Sequence, residues 1–292
     1  MTEKIRIQCN ACGADMFQPL STVGEWEIGR CRRCSLIYVN PAPFFEPSNE
    51  FSDISVDFQY TQYMRQPITP AILEFERQQL RHQVGLLKRF SANMPAQGRL
   101  LEVGCGSGAS VRAAVDLGWD AIGIDIDPVL IQLGREQLKV DVRATTLLKA
   151  GLDEASLDFI RLRDVIEHLP NPYETLLEIK RLLAPNGVAL IVTPNEGGLP
   201  TQVRLLLGKK RDKVATVPPP HHLHGFTPDT LRRIFDRVGL RTHVITTTPP
   251  FDPDYVTSNN MRSADRRLLT WIWSGARLLG RGSVLVGWVT KN

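Results

Sequence analysis

Asp164, Glu167 and His168 stand at i, i+3 and i+4, so one helical turn would gather two carboxylates and an imidazole on a single face. Three more imidazoles come in the run His221-His222-Leu223-His224, where a long loop rich in glycine, proline and lysine returns. Groups of this kind can accept a proton from a hydroxyl, hold a divalent cation that acidifies one, or only pin a loop by hydrogen bonds. Three readings follow. His168 can act alone as general base, its ordinary pKa lying near ~6.5. The two acids and His168 can join a loop histidine around a divalent metal. In the third reading, Glu167 and His168 are purely structural. The lone His82 and His243 read as surface or packing residues.

A second chemical feature lies upstream. The run Leu100-Leu101-Glu102-Val103-Gly104-Cys105-Gly106-Ser107-Gly108 carries an apolar strand into a glycine-rich turn, and a helix-like segment follows to Leu117 with Gly118 as its stop. Gly104, Gly106 and Gly108 lack the Cβ atoms that would hold a ligand away from the backbone. Asp125 closes a second apolar run, Ala121 to Ile124, where an acid suits the two hydroxyls of a ribose. The pattern proposes an adenosine-type ligand across the carboxyl edge of a parallel sheet. The spacing is not G-x-G-x-x-G, in which a pyrophosphate sits on the helix N-terminus. Cys105, inside the loop, reads as a small packing residue.

Four of the five cysteines form Cys9-x-x-Cys12 and Cys31-x-x-Cys34. Two such pairs read as knuckles of a tetrahedral zinc site, and four sulfur ligands close it, so the metal is structural. Gly13 helps the first knuckle turn. The start of the chain has no apolar signal core, so a cytoplasmic, reducing setting is expected and disulfides are disfavoured.

These groups need a scaffold. With 42% hydrophobic and 23% charged residues over 292 positions, the chain has the composition of an ordinary globular protein, and its net charge of +4 is mild. No apolar run approaches the ~20 residues that span a bilayer. Strands are predicted at 100–103, 121–124, 140–143, 157–162, 188–193, 241–247 and 284–290. Helices are predicted at 70–90, 109–117, 128–138, 172–183 and 228–238, the fourth closed by Pro185-Asn186-Gly187. The alternation predicts an α/β fold with a doubly wound, mostly parallel seven-stranded sheet. Residues 1–43 form the ribbon, with short strands at 25–28 and 36–39. Residues 44–95 form a linker with an aromatic lid and a helix, and 96–292 form the main domain with an insertion at about 251–282. Within 262–281, arginines alternate with Leu, Ile and Trp, a composition compatible with peripheral membrane contact or with a cover over the site.

The glycine run resembles motif I of class I S-adenosylmethionine-dependent methyltransferases. That resemblance implies that Gly104, Gly106 and Gly108 contact the cofactor with Glu102 beneath them, that Asp125 holds the ribose, and that Ile126, Thr146 and Asp164 complete the pocket. The whole layout resembles the group with an N-terminal zinc ribbon ahead of a UbiG-like catalytic domain. It is carried by Cys31-Arg32-Arg33-Cys34-Ser35-Leu36-Ile37-Tyr38-Val39-Asn40-Pro41, Asp164-Val165-Ile166-Glu167-His168-Leu169-Pro170-Asn171-Pro172 and His224-Gly225-Phe226-Thr227-Pro228. The chain departs from the group at Thr145 and Thr146, where many relatives place an acid, and at Leu157-Asp158, where most carry Phe-Asp. The metal reading resembles the small-RNA 2′-O-methyltransferases and ubiquinone-pathway O-methyltransferases, with His222 as the later ligand. By resemblance Tyr60 and Tyr63 line the substrate side, with His221 and His224 returning over it. The implied activity is methyl transfer to a small or sugar-like acceptor, at oxygen. The alternatives are an RNA methyltransferase whose ribbon grips phosphates beside Arg30, Arg32 and Arg33, and a non-enzymatic zinc-ribbon adaptor. Oligomeric state is left open.

Overall fold

Near-continuous apolar runs along the central strands commit both sheet faces to burial. The computed structural model describes residues 4–43, 68–199, 201–203, 217–248, 275–276 and 279–292. Tyr60, Tyr63 and most of the segment 262–281 lie outside the described residues.

Seven strands form the main sheet: β6 (Arg99–Val103), β7 (Asp120–Asp125), β8 (Asp141–Ala144), β9 (Leu157–Arg163), β10 (Leu183–Pro194), β12 (Leu240–Thr248) and β13 (Val284–Lys291). Their order is β12-β13-β10-β9-β6-β7-β8. The strands from β10 to β8 pair in parallel, while β13 runs antiparallel to both β10 and β12. This is the class I methyltransferase arrangement, and strand order reverses at β6 and β9. A crevice opens at the carboxyl ends of strands where order reverses, which is where open α/β sheets bind ligands.

Helices α1 (Pro70–Phe90), α2 (Ala109–Asp116) and α3 (Pro128–Leu138) cover one face, and α4 (Pro172–Leu182) and α5 (Pro228–Val238) the other. The period of two decides which side chain goes where. Along β9, Ile160 and Leu162 enter the α4/α5 core, while Phe159 packs in the α1/α2 core. Proline at N1 or N2 and a capping side chain (Thr69, Asp127, Asn171 or Thr227) begin four of the five helices.

Two local expectations need correction. Pro185-Asn186-Gly187 does not simply close α4: β10 begins already at Leu183, pairs there with Leu157, and carries the three residues as an irregularity before Val188 rejoins the ladder. In the ribbon, β2 (Phe17–Val23) was missed, because its polar residues hide the alternation. It pairs with β3 (Trp26–Cys31), which pairs with β4 (Ile37–Val39). A two-stranded ladder of β1 (Lys4–Ile5) and β5 (Ala42–Pro43) completes the ribbon, whose fourth sheet strand is β11 (His224–Gly225), from far along the chain.

The turn after β6 is held from outside as well as within. Gly134 of α3 lies so close to it that an added Cβ would collide with the Ser107 carbonyl oxygen. Gly134→Ala should therefore lower stability by about 1–3 kcal/mol through overpacking. Helix propensity alone would stabilise the variant by about 1 kcal/mol. A urea-unfolding midpoint that rises would show the contact to be unimportant.

Candidate active site

The glycine loop is built by backbone that only glycine adopts easily. Gly104, Gly106 and Gly108 have φ of 72°, 54° and 83°. The amides of Gly104 and Cys105 both donate to the Ile124 carbonyl at 2.8 and 3.0 Å, curling the turn over β7. Asp125 holds it there: one carboxylate oxygen accepts from Gly106 N at 2.8 Å and the other from Asp127 N at 2.9 Å. Burial pushes the Asp125 carboxyl up, and the amides of Asp127 and Gly106 oppose that shift. Asp125 thus shapes the loop directly. Cys105 is buried against Gly123, and burial raises its thiol pKa, as expected of a packing residue.

Beyond Asp125, the apolar Ile126, Val129 and Leu148 are 41%, 49% and 54% exposed at the carboxyl edge of the sheet. Solvent-facing apolar groups beside a ribose-type acid suit the two faces of an adenine ring. Leu148 was not foreseen. Thr146 caps the short 3-10 turn 147–149 that presents it.

Glu102 is buried near the end of β6, two residues before Gly104, and its partners were invisible in the sequence. Parallel register sets it opposite Arg161. Arg161 is fully buried, with an Nη1 atom 3.2 Å from Glu102 Oε2 and an Nη2 atom 3.9 Å from Glu76 of α1. Arg163 bonds Glu102 Oε1 at 3.3 Å and both Glu76 oxygens at 3.0 and 2.9 Å. Burial pulls the Arg161 guanidinium down, and Glu102 counters it. Two acids and two arginines therefore tie α1 to β6 and β9 directly below the crevice.

At the end of β9 the chain turns through Asp164, at φ 51° and exposed in the cleft. Val165 packs against Gly104, so the next turn stands beside the glycine loop. There the structure brings together Glu167, His168 and His222, one ligand-type atom from each lying within 4.8 Å of the others. Asp164 is not in this triplet. Glu167 is buried. Its Oε2 accepts from Thr193 Oγ1 at 2.9 Å, while its Oε1 has no hydrogen-bond partner among the described residues and sits 3.9 Å from His168 Nε2. Burial, and then the nearby Asp164, push the Glu167 carboxyl well up.

The His168 ring is oriented from behind. Its Nδ1 lies 2.6 Å from the His221 carbonyl oxygen, which can only accept, so Nδ1 carries the proton and Nε2 the lone pair. Burial and then His222 pull the His168 pKa down to about 4, so the ring is neutral near pH 7. The His168 and His222 rings meet edge to face at 4.7 Å.

His224 is a correction. Expected over the substrate side, it is 1% exposed and faces the ribbon, its Nε2 3.2 Å from Asn10 Nδ2. Burial pulls its pKa down to about 3. His221 contributes its backbone carbonyl to His168.

The four ribbon cysteines also meet the geometry of a metal site. Cys9 and Cys34 sulfurs are 3.5 Å apart and Cys12 and Cys31 sulfurs 3.6 Å, with all four within 4.8 Å. Zinc–sulfur bonds of about 2.3 Å at tetrahedral angles require sulfur pairs near ~3.8 Å. The bond to Cys34 and burial raise the Cys9 thiol, while the bond to Cys9 draws Cys34 down to about 5. Four sulfurs at this spacing are a ligand set that fits zinc.

The profile of the family described as "Methyltransferase domain" matches residues 73–244. A ubiquinone biosynthesis O-methyltransferase of Cereibacter sphaeroides is 29% identical over 182 residues, covering 60% of this chain and 66% of that relative, just under two thirds of its length. Among solved structures, a SAM-dependent methyltransferase from Archaeoglobus fulgidus matches with a TM-score of 0.54 at 20% identity, covering 80% of this chain and 99% of that one. Geranyl diphosphate C-methyltransferase from Streptomyces coelicolor, solved with Mg2+, geranyl diphosphate and S-adenosyl-L-homocysteine, matches at 0.53 and 14% identity, covering 78% and 87%. At these identities both structures speak for the fold alone.

Proposed function

Because the chain belongs to the methyltransferase-domain family of class I, S-adenosylmethionine-dependent enzymes, we propose that it methylates an oxygen of a small, hydroxyl-bearing acceptor. The observation that carries the oxygen assignment is the Glu167–His168–His222 triplet beside the glycine loop, where an acceptor's proton has to be handled. The ubiquinone O-methyltransferase relative supports the same class of acceptor atom.

S-adenosylmethionine supplies a sulfonium-bound methyl group when bound. The glycine turn of Gly104, Gly106 and Gly108 would hold its methionine end, Asp125 would bind its ribose, and Ile126, Leu148 and Thr146 would border its adenine. Helix α1 is tied to the end of β9 through Glu76 and Arg163. On the acceptor side, His168 presents an Nε2 lone pair, because its bond to His221 keeps the proton on Nδ1 and burial keeps the ring neutral.

A second reading of the triplet has an observation of its own. Glu167 Oε1 is buried without a hydrogen-bond partner among the described residues, next to two imidazoles, which is a cation's place. A divalent ion held by Glu167, His168 and His222 would lower the pKa of an acceptor hydroxyl. Cys9, Cys12, Cys31 and Cys34 would hold a structural zinc.

Titration with S-adenosylhomocysteine should give saturable heat; no binding would remove the enzyme reading in favour of an adaptor. Incubation with methyl-labelled donor and a panel of catechols, phenols and sugars should place label in O-methyl products. Label found in RNA or on nitrogen would overturn the acceptor class. For the metal reading, EDTA should lower turnover at least tenfold and Mg2+ should restore it. Unchanged turnover would leave His168 acting as base without a metal.

A further inference from the structure

The ribbon has two faces, and only one is on the surface. Arg30, Arg32 and Arg33 are exposed, but β4 receives β11, with His224 opposite Tyr38 and Gly225 opposite Ile37. The ribbon's small core of Trp26, Ile28, Ile37 and Val39 is completed by Val217 and Leu223, which belong to the histidine loop. Val39 N donates to the Leu223 carbonyl at 2.9 Å. His224 is stacked at 6° to Tyr38 and bonded to Asn10, the residue between Cys9 and Ala11 in the first knuckle. Arg237 of α5 donates to the carbonyl oxygen of Asn10 at 2.8 Å and so holds that knuckle from the other side.

The opposite edge of the same loop belongs to the active site. Amides of Leu223 and His224 donate to the Glu167 carbonyl at 2.7 and 3.1 Å, the His221 carbonyl orients His168, and His222 completes the triplet. From Val217 to His224, then, the side chains of Val217, Leu223 and His224 complete the ribbon, while the His222 ring and the His221 carbonyl complete the reaction site. Short loops with few internal bonds take their shape from what they pack on.

We infer that the zinc ribbon is a template that holds the 217–225 loop over Glu167 and His168, with Asn10 and His224 as positioning residues for methyl transfer. The assignment of methyl transfer rests on the function proposed above; the mechanical coupling does not. Sulfur ligation fixes the knuckle, the knuckle fixes Asn10, and Asn10 fixes the loop whose carbonyl sets the His168 tautomer.

Asn10→Ala tests this in the full-length, zinc-loaded protein, and a second sample stripped of zinc tests it without mutation. Hydrogen exchange at the Leu223 and His224 amides should quicken at least tenfold in both, while β6 to β9 amides stay protected. Nitrogen-15 resonances of His168 should move from the single Nδ1–H tautomer to a mixture. The dissociation constant for S-adenosylhomocysteine should stay within about twofold, because the glycine loop and Asp125 are untouched. Unchanged exchange and an unchanged His168 tautomer in both samples would overturn the proposal. So would loss of protection spread evenly over the sheet, which marks a merely stabilising ribbon. If the wild type binds no S-adenosylhomocysteine, the functional reading fails, while the exchange and tautomer results still decide the coupling.

Discussion

Glu167→Gln is expected to lower turnover by about 10²–10⁴-fold, the usual worth of a group that handles a proton in the transition state. Glutamine is nearly isosteric, and its amide oxygen can still accept from Thr193 Oγ1, which bonds the wild-type carboxylate at 2.9 Å. The backbone carbonyl that anchors Leu223 and His224 is untouched. What disappears is the ionisable carboxyl beside His168 and His222, the group that can give up its proton to hold a cation or exchange one with the acceptor through an imidazole. Single-turnover rates and S-adenosylhomocysteine affinity should be measured together. A large rate loss with affinity kept within about threefold assigns Glu167 to the chemistry. Parallel loss of both would make it a structural acid that pins the loop.

Asp125→Asn should weaken S-adenosylhomocysteine binding about 100-fold, which is roughly 2.7 kcal/mol. Both carboxylate oxygens of Asp125 already accept backbone amides, one from Gly106 and one from Asp127. Asparagine offers one acceptor and turns its amino group toward the other N–H, so one amide loses its partner. The turn that carries Gly106 then relaxes, and the ribose loses an anionic acceptor at the same stroke. Calorimetric titration checks the affinity, and near-wild-type binding would remove Asp125 from the cofactor site. A circular dichroism melt separates this from unfolding, because Asp125 lies at the end of β7 and not in either core.

Local spacing carried much of this protein. Helices 70–90, 128–138 and 228–238 were legible to the residue, because proline, a capping side chain and an apolar stripe coincide at each. The glycine loop and Asp125 were legible because unusual backbone and a strand-end acid each leave a compositional mark. Glu167 and His168 were found as neighbours on one turn. Leu148 left no such mark, since an exposed leucine looks like any other until its place at the sheet edge is known.

What the sequence determined by itself was the series of elements of the main domain, the glycine turn and the two Cys-x-x-Cys pairs, all of which depend on residues a few positions apart. Only the tertiary structure decided that Arg161 meets Glu102, because cross-strand register joins residues 59 positions apart. It alone moved His224 from the acceptor side to the ribbon, through a bond to Asn10 that spans 214 positions. Such contacts arise when separate apolar faces are buried against one another, and the side chains left at the seam then find partners that no local period records.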